Sequence, residues 1–200
     1  MKKIAVFASG SGSNFQAIAD AVFSGEISAD ISLLICDKPG AYVLERARVA
    51  EIPSFVFNPK DFPSKADFEQ EILLLLKNRN IDLIVLAGYM RLIGPTLLNE
   101  YKGRIVNIHP SLLPDFPGKD AVGQALAAGV KWTGVTIHYV DEGMDTGPVI
   151  VQERVRIEED DTKESLQWKI QTKEHKLYPS ILQMLLTIGD VKQDEKTGAY

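Results

Sequence analysis

The 200-residue sequence is poor in the side chains that most often carry covalent or metal chemistry: it has one cysteine and three histidines. A single cysteine excludes an internal disulfide. Cys36, at the end of the apolar run 31–36, reads as a buried small hydrophobe, with a reactive thiol as the alternative. Without a cysteine cluster or a His-Glu-x-x-His pair, a zinc site is not expected, and no other metal is indicated. There is no Gly-x-Ser-x-Gly elbow and no Walker lysine, which argues against acyl-serine hydrolysis and P-loop phosphoryl transfer. Positive charge is also scarce: 22 Lys and Arg stand against 27 Asp and Glu, for a net charge of −5. A phosphate backbone or an acidic membrane needs concentrated base, so neither nucleic acid nor membrane is an expected partner. No apolar run approaches membrane-spanning length. Met1-Lys2-Lys3 opens like a signal peptide, but the apolar run meets Ser9-Gly10 too early, so it reads as a first strand and the expected location is the cytoplasm. Non-covalent acid–base and oxyanion chemistry remains.

With 45% hydrophobic residues, a chain of this length buries its own core. The expectation is one domain over 1–188, followed by a polar, frayed tail over 189–200. Apolar runs at 3–8, 31–36, 55–57 and 82–88 alternate with helical patterns, one of them starting after Ser64. The pattern gives an α/β, Rossmann-like open twisted sheet, parallel in its N-terminal half with helices on both faces. The second half changes rhythm. A strand ending in Asn107 and His109 is followed by a proline-rich loop, a short helix over 121–128, and strands over 133–140 and 149–157. The short acidic loop between those last two makes them an antiparallel pair at the edge. Asp161 with Glu164 suggests the cap of a final helix, with a kink or break near Pro179.

Two loops carry the chemistry. Ser9-Gly10-Ser11-Gly12-Ser13-Asn14 joins a strand to a helix, with Ser13 and Gln16 spaced as a capping box, a geometry that offers backbone N–H groups to an anion. Phe15 stands where a dinucleotide fingerprint needs a third glycine, which favours a single phosphate. Asp37, placed as a ribose-binding acid would be, keeps the dinucleotide reading open, as does a tight turn that binds nothing. On the strand at 105–109, side chains alternate, so Asn107 and His109 point the same way at its end. An amide and an imidazolium aimed at one point make an oxyanion site, and Asp145, in the loop Asp141-Glu142-Gly143-Met144-Asp145, is the carboxylate that could hold the ring charged. Such a set suits attack of an amine on a carbonyl carbon. Structural hydrogen bonding and turn capping are the alternatives for each residue alone.

Asn107-Ile108-His109-Pro110-Ser111-Leu112-Leu113-Pro114 and Thr136-Ile137-His138-Tyr139-Val140-Asp141-Glu142-Gly143-Met144-Asp145-Thr146-Gly147-Pro148 together resemble the folate-dependent formyltransferases. The glycine loop and Gln171-Thr172-Lys173-Glu174-His175 are similar to the branch that formylates phosphoribosylglycinamide in purine biosynthesis. The resemblance spans about 3–186. It implies 10-formyltetrahydrofolate as co-substrate, no metal, small-molecule partners, and Asn107, His109 and Asp145 as the catalytic set. It further implies Gly12, Ser13, Asn14, Lys65, Gln171 and Glu174 as contacts to phosphoribosylglycinamide. For the folate it implies Met90, Arg91, Leu92 and Ile93, with Asp141, Glu142, Gly143, Met144 and Asp145. Lys65 stands where the family can place an arginine, a point charge in place of a fork. Gly118-Lys119-Asp120 departs from the Gly-Leu-His of some relatives. His138 matches the family and is expected to support other residues rather than react.

The rival readings are formyl transfer to initiator tRNA, for which the acidic chain lacks an added tRNA-binding domain, and a formyltetrahydrofolate hydrolase, which would carry an N-terminal regulatory domain. A non-catalytic nucleotide-binding module built on Gly10, Gly12 and Asp37 is the third. The sequence leaves a homodimer open.

Overall fold

The strand β1 (Lys2–Ala8) shows why the sheet forms where it does: Ile4, Val6 and Ala8 pack into one apolar cluster, Ala5 and Phe7 into another, and all five are fully buried. Period-two alternation of a wholly apolar strand requires cover on both faces. In this computed structural model, which describes residues 1–197 and side chains through 188, that cover comes from helices on either side of one sheet. The frayed tail expected over 189–200 lies outside the residues described with side chains.

After β1 come α1 (Ser13–Phe23), β2 (Ala29–Cys36), α2 (Val43–Val49), β3 (Ser54–Val56), α3 (Lys65–Asn78), β4 (Leu83–Leu86), α4 (Pro95–Glu100) and β5 (Ile105–His109). The chain then runs through α5 (Ala121–Ala127), β6 (Trp132–Tyr139), β7 (Val149–Arg156) and α6 (Lys163–Thr197). The sheet has seven strands in the order β3-β2-β1-β4-β5-β6-β7. Pairing is parallel from β3 through β5 and antiparallel for β5–β6 and β6–β7, as the change of rhythm in the sequence implied. The β1, β4 and β5 ends are therefore neighbours, and the loops that follow them open on the same edge of the sheet. Cys36 is fully buried, and burial pushes its thiol up, so it behaves as a small hydrophobe. Among the described residues no helix is long and apolar enough to cross a membrane.

Three local expectations are corrected. Ser13 and Gln16 form no capping box: the residue before α1 is Gly12 in the left-handed region (φ 74°), no side chain caps the helix, and the Gln16 amide joins Asp20 and Arg46. The cap of α6 is Thr162 rather than Asp161. Ser165 N–H donates to Thr162 Oγ1 (3.2 Å) and Thr162 N–H to Ser165 Oγ (3.0 Å), while Asp161 accepts from Lys169 Nζ at 2.7 Å. Finally, of the kink or break expected near Pro179, the break is absent: α6 runs through the proline as one helix. Its apolar stripe of Leu166, Ile170, Leu177, Tyr178, Leu182 and Leu186 is buried on both sides of the proline, and that packing outweighs the ~3 kcal/mol a helical proline costs. The short α4, begun by Pro95 after Gly94, carries too little periodicity to be read from sequence.

Tyr178 ties this helix to the sheet. Its buried hydroxyl lies 2.9 Å from the Leu86 carbonyl and 3.3 Å from that of Val106, at the junction of β4 and β5. Tyr178→Phe is expected to cost about 1–2 kcal/mol by losing this donor while leaving the cavity filled. A urea melt reads the loss, and an unchanged midpoint with an unchanged slope would contradict it.

Candidate active site

The loops after β1, β4 and β5 and the loop between β6 and β7 enclose a cavity of about 590 Å³. Each wall has a local cause. The glycine loop turns sharply at Gly12, where an added Cβ would come within 2.5 Å of Val43 Cγ2, so only glycine lets the loop lie against α2. Arg46 of α2 fastens it by donating Nε–H to the Ser11 carbonyl at 2.8 Å. The proline-rich loop is pinned to β6 and β7: Leu113 N–H donates to Thr136 Oγ1 (3.1 Å), Thr136 Oγ1 to the Ser111 carbonyl (2.7 Å), and Gln152 Nε2 of β7 to the Leu113 carbonyl (2.8 Å).

At the end of β5, Asn107 and His109 face the cavity together, as strand alternation requires. His109 Nδ1 lies 3.4 Å from Asp145 Oδ2, and that oxygen also accepts the Gly118 N–H at 2.8 Å. Asp145 reaches this place in a left-handed conformation (φ 57°), which aspartate tolerates better than most side chains. Asn107 Nδ2 lies 3.5 Å from Asp145 Oδ1 and 3.2 Å from His138 Nε2. His138, opposite Asn107 in the β5–β6 pairing, has its other nitrogen 2.8 Å from the Tyr139 carbonyl. Burial pushes its pKa down, against the pull of the Tyr139 carbonyl and of Asp145, which favours the neutral ring. A neutral ring donating Nδ1–H to that carbonyl must accept at Nε2, so it orients the Asn107 amide with nitrogen inward.

One part of the expected geometry differs. His109 does not aim a free N–H into the cavity: its Nε2 lies 2.8 Å from the Phe116 carbonyl, so both ring nitrogens face protein acceptors, as both Asn107 amide hydrogens do. A ring with two N–H groups satisfies both acceptors, and turning one toward a substrate means exchanging the Phe116 carbonyl for it.

Gly12, Ser13, Asn14, Gln171 and Glu174 all line the cavity, as do Met90, Arg91, Leu92, Ile93, Asp141, Gly143 and Met144. Lys65 and Glu142 do not. Lys65 lies on α3, 3.9 Å from Glu69, and Glu142 is an exposed tip of its loop. Asp37 is not offered to a ribose either, since its carboxylate is buried against Ser9 Oγ (2.5 Å) and Arg91 Nε (2.6 Å). Asp120 caps α5 and pairs with Lys163 at 2.7 Å, which puts an ion pair on the cavity wall. Sequence reasoning missed Lys163 and Gln167. With Gln171 and Glu174 they recur at helical spacing along one face of α6, and that polar stripe was the available signal.

A match to the family model described as formyl transferase covers residues 2–182, and the chain belongs to that family. Its fold and cavity are those of a formyl-transferring enzyme, and the family implies a folate-derived formyl donor. Among its relatives, phosphoribosylglycinamide formyltransferase of Bacillus subtilis (strain 168) is 57% identical over 190 residues, covering 95% of this chain and 97% of that protein. The crystal structure of glycinamide ribonucleotide transformylase 1 from Geobacillus kaustophilus superposes with a TM-score of 0.91 at 65% identity, covering 93% of this chain and 99% of the other. The trifunctional purine biosynthetic protein adenosine-3 of Drosophila melanogaster is 48% identical over 187 residues, 92% of this chain but 14% of that longer protein.

Glu174 faces this cavity, and among the described residues the Asn14 amide, at 3.0 Å, is its hydrogen-bond donor. Burial pushes its carboxyl up to about 7, with the Asn14 hydrogen bond pulling the other way. In the unfolded chain a glutamate ionises near about 4.3, so the unfolded state loses this proton first as pH rises. The folded state is therefore favoured most below that value and loses the contribution as pH climbs to about 7. Glu174→Gln should flatten urea stability between about pH 5 and 8 relative to the unaltered protein. Parallel pH curves for the two would contradict the assignment.

Proposed function

We propose that the chain transfers a formyl group from 10-formyltetrahydrofolate to the amine of phosphoribosylglycinamide in purine biosynthesis. The observation that carries the reading is near full-length kinship with the Bacillus subtilis enzyme of that name, combined with a cavity that holds all three expected reactive side chains. The cavity chemistry suits two unlike ligands. One wall is the glycine loop at the start of α1, where Gly12, Ser13 and Asn14 suit a phosphate, with Gln171 and Glu174 suited to the hydroxyls and amide of the same molecule. Another wall is apolar and open, with Met90, Leu92 and Met144 each about half exposed or more, which suits a flat heteroaromatic ring.

The donor supplies a formyl group on N10, whose carbonyl carbon is the point of attack. As the amine nitrogen bonds to that carbon, negative charge grows on the formyl oxygen, and one Asn107 Nδ2–H becomes its donor by leaving Asp145 Oδ1, the longer of its two contacts at 3.5 Å, while the other stays on His138. His109 is the second donor, delivered when its Nε2–H leaves the Phe116 carbonyl. Asp145 holds the opposite side of the ring through Nδ1, so the imidazolium keeps its charge and orientation while the oxyanion exists. When the bond to N10 breaks, the amine has one proton to lose and N10 one to gain. Asp145, partly exposed and hydrogen-bonded by the Gly118 N–H, is the carboxylate placed to pass that proton through water.

The direct test is a formyl-transfer assay with the two substrates, in which formation of formylglycinamide ribonucleotide is expected and absence of turnover would overturn the acceptor assignment. In the same assay Asn107→Ala and His109→Ala should each lower kcat by about 10²–10³-fold, as expected for loss of one preorganised donor, with smaller changes in KM. A folded variant of either kind with unaltered kcat would remove that residue from the mechanism.

A further inference from the structure

The segment 88–94, between β4 and α4, has no regular secondary structure, yet it forms the apolar wall of the cavity. Its side chains divide between two sides. Met90 and Leu92 point out and are 63% and 46% exposed, while Ile93 is buried and Tyr89 packs edge-on against Phe7 with ring centroids 5.3 Å apart. A loop of this kind keeps one shape only if its backbone is held from behind.

Three side chains from other elements do so. Ser9 Oγ, at the end of β1, accepts the Met90 N–H at 2.9 Å and donates to Asp37 Oδ1. Asp37, just past β2, accepts Arg91 Nε–H at 2.6 Å through its other oxygen. At the far end, Glu69 of α3 accepts the Gly94 N–H at 2.6 Å. An added Cβ at position 94 would lie 2.6 Å from Glu69 Oε2, so a side chain there would push this carboxylate aside. Asp37 and Glu69 are 8% and 2% exposed, and neither has a part in the reaction described above. Burying a carboxylate is unfavourable unless the charge is used, and here both are used on the same seven-residue stretch, one near each end.

We propose that Asp37 and Glu69 are positioning residues for the formyl donor: they fix the backbone of 88–94 so that its outward face receives the folate ring. This rests on the function proposed above. A carboxylate accepting a backbone N–H sets where that peptide lies. Without Asp37 the Arg91 side chain and the Met90 peptide lose their common anchor, and without Glu69 the segment is released where it enters α4. Either change loosens the donor wall, while the glycine loop from Ser11 onward, the part that faces the phosphate side, stays held by Arg46.

The test compares Asp37→Asn, Glu69→Leu and Glu69→Gln with the unaltered protein, measuring KM for both substrates and equilibrium binding of tetrahydrofolate. Expected are a rise of about tenfold in KM for 10-formyltetrahydrofolate and in the Kd of tetrahydrofolate for Asp37→Asn and Glu69→Leu, equivalent to ~1.4 kcal/mol. KM for phosphoribosylglycinamide should stay within about twofold, and Glu69→Gln, which keeps a carbonyl acceptor for Gly94 N–H, should be milder than Glu69→Leu. A purely structural role would move both KM values together or only the melting point, and that result would overturn the proposal. Unchanged tetrahydrofolate binding in all three variants would overturn it as well. If the unaltered protein binds tetrahydrofolate but transfers no formyl group, the acceptor assignment falls while the Kd ratios still decide the role of Asp37 and Glu69.

Discussion

The amide of Asn107 is fixed by two neighbours, and the arrangement of the whole site follows from how they hold it. His138 Nε2 lies 3.2 Å from the amide nitrogen and Asp145 Oδ1 lies 3.5 Å from it. A neutral imidazole that already donates from Nδ1 has only a lone pair to offer at Nε2, so the amide must present a donor there. Antiparallel pairing of β5 with β6 supplies this contact, because it sets Asn107 directly opposite His138. The switch from parallel to antiparallel strands thus supplies the Asn107–His138 contact as well as the edge of the sheet. Asp145 then links the amide to His109, and the Gly118 N–H links Asp145 to the proline-rich loop.

Around this centre the fold divides labour by element. The parallel half supplies strand ends and the glycine loop, so it suits binding of an anion and support of the 88–94 wall. The antiparallel half supplies Asp145 and His138, so it suits control of charge and hydrogen-bond direction. The helix α6 spans both, with buried apolar residues on the sheet side and Lys163, Gln167, Gln171 and Glu174 facing the cavity. Its passage through Pro179 follows from the same packing. Buried carboxylates mark the places where backbone that is neither helix nor strand must still be held, as Asp37 and Glu69 do.

Much of the fold was legible in the sequence because its signals are local. Unbroken apolar runs gave the parallel strands, and the alternation at Asn107 and His109 gave a shared direction without any knowledge of the neighbouring strand. What was not legible depends on residues far apart in sequence. Arg91 meets Asp37 across 54 positions and Gly94 meets Glu69 across 25, and neither partner carries a pattern that points to the other. The capping box at Ser13 misled because a left-handed glycine, chosen for its close approach to Val43, took the cap position instead. Lys65 was expected at the site only from the family resemblance, and it stands on α3 beside Glu69, outside the cavity. The engagement of His109 Nε2 by the Phe116 carbonyl was beyond sequence reading, since it depends on the fold of the proline-rich loop.

The central claim is that a neutral His138 sets the direction of the Asn107 amide. Nitrogen-15 NMR of histidine-labelled protein at neutral pH tests it most directly, since it reports which ring nitrogen carries the proton. The account predicts His138 as the Nδ1–H tautomer with a bare Nε2. An Nε2–H tautomer, or a ring protonated at both nitrogens, would contradict it.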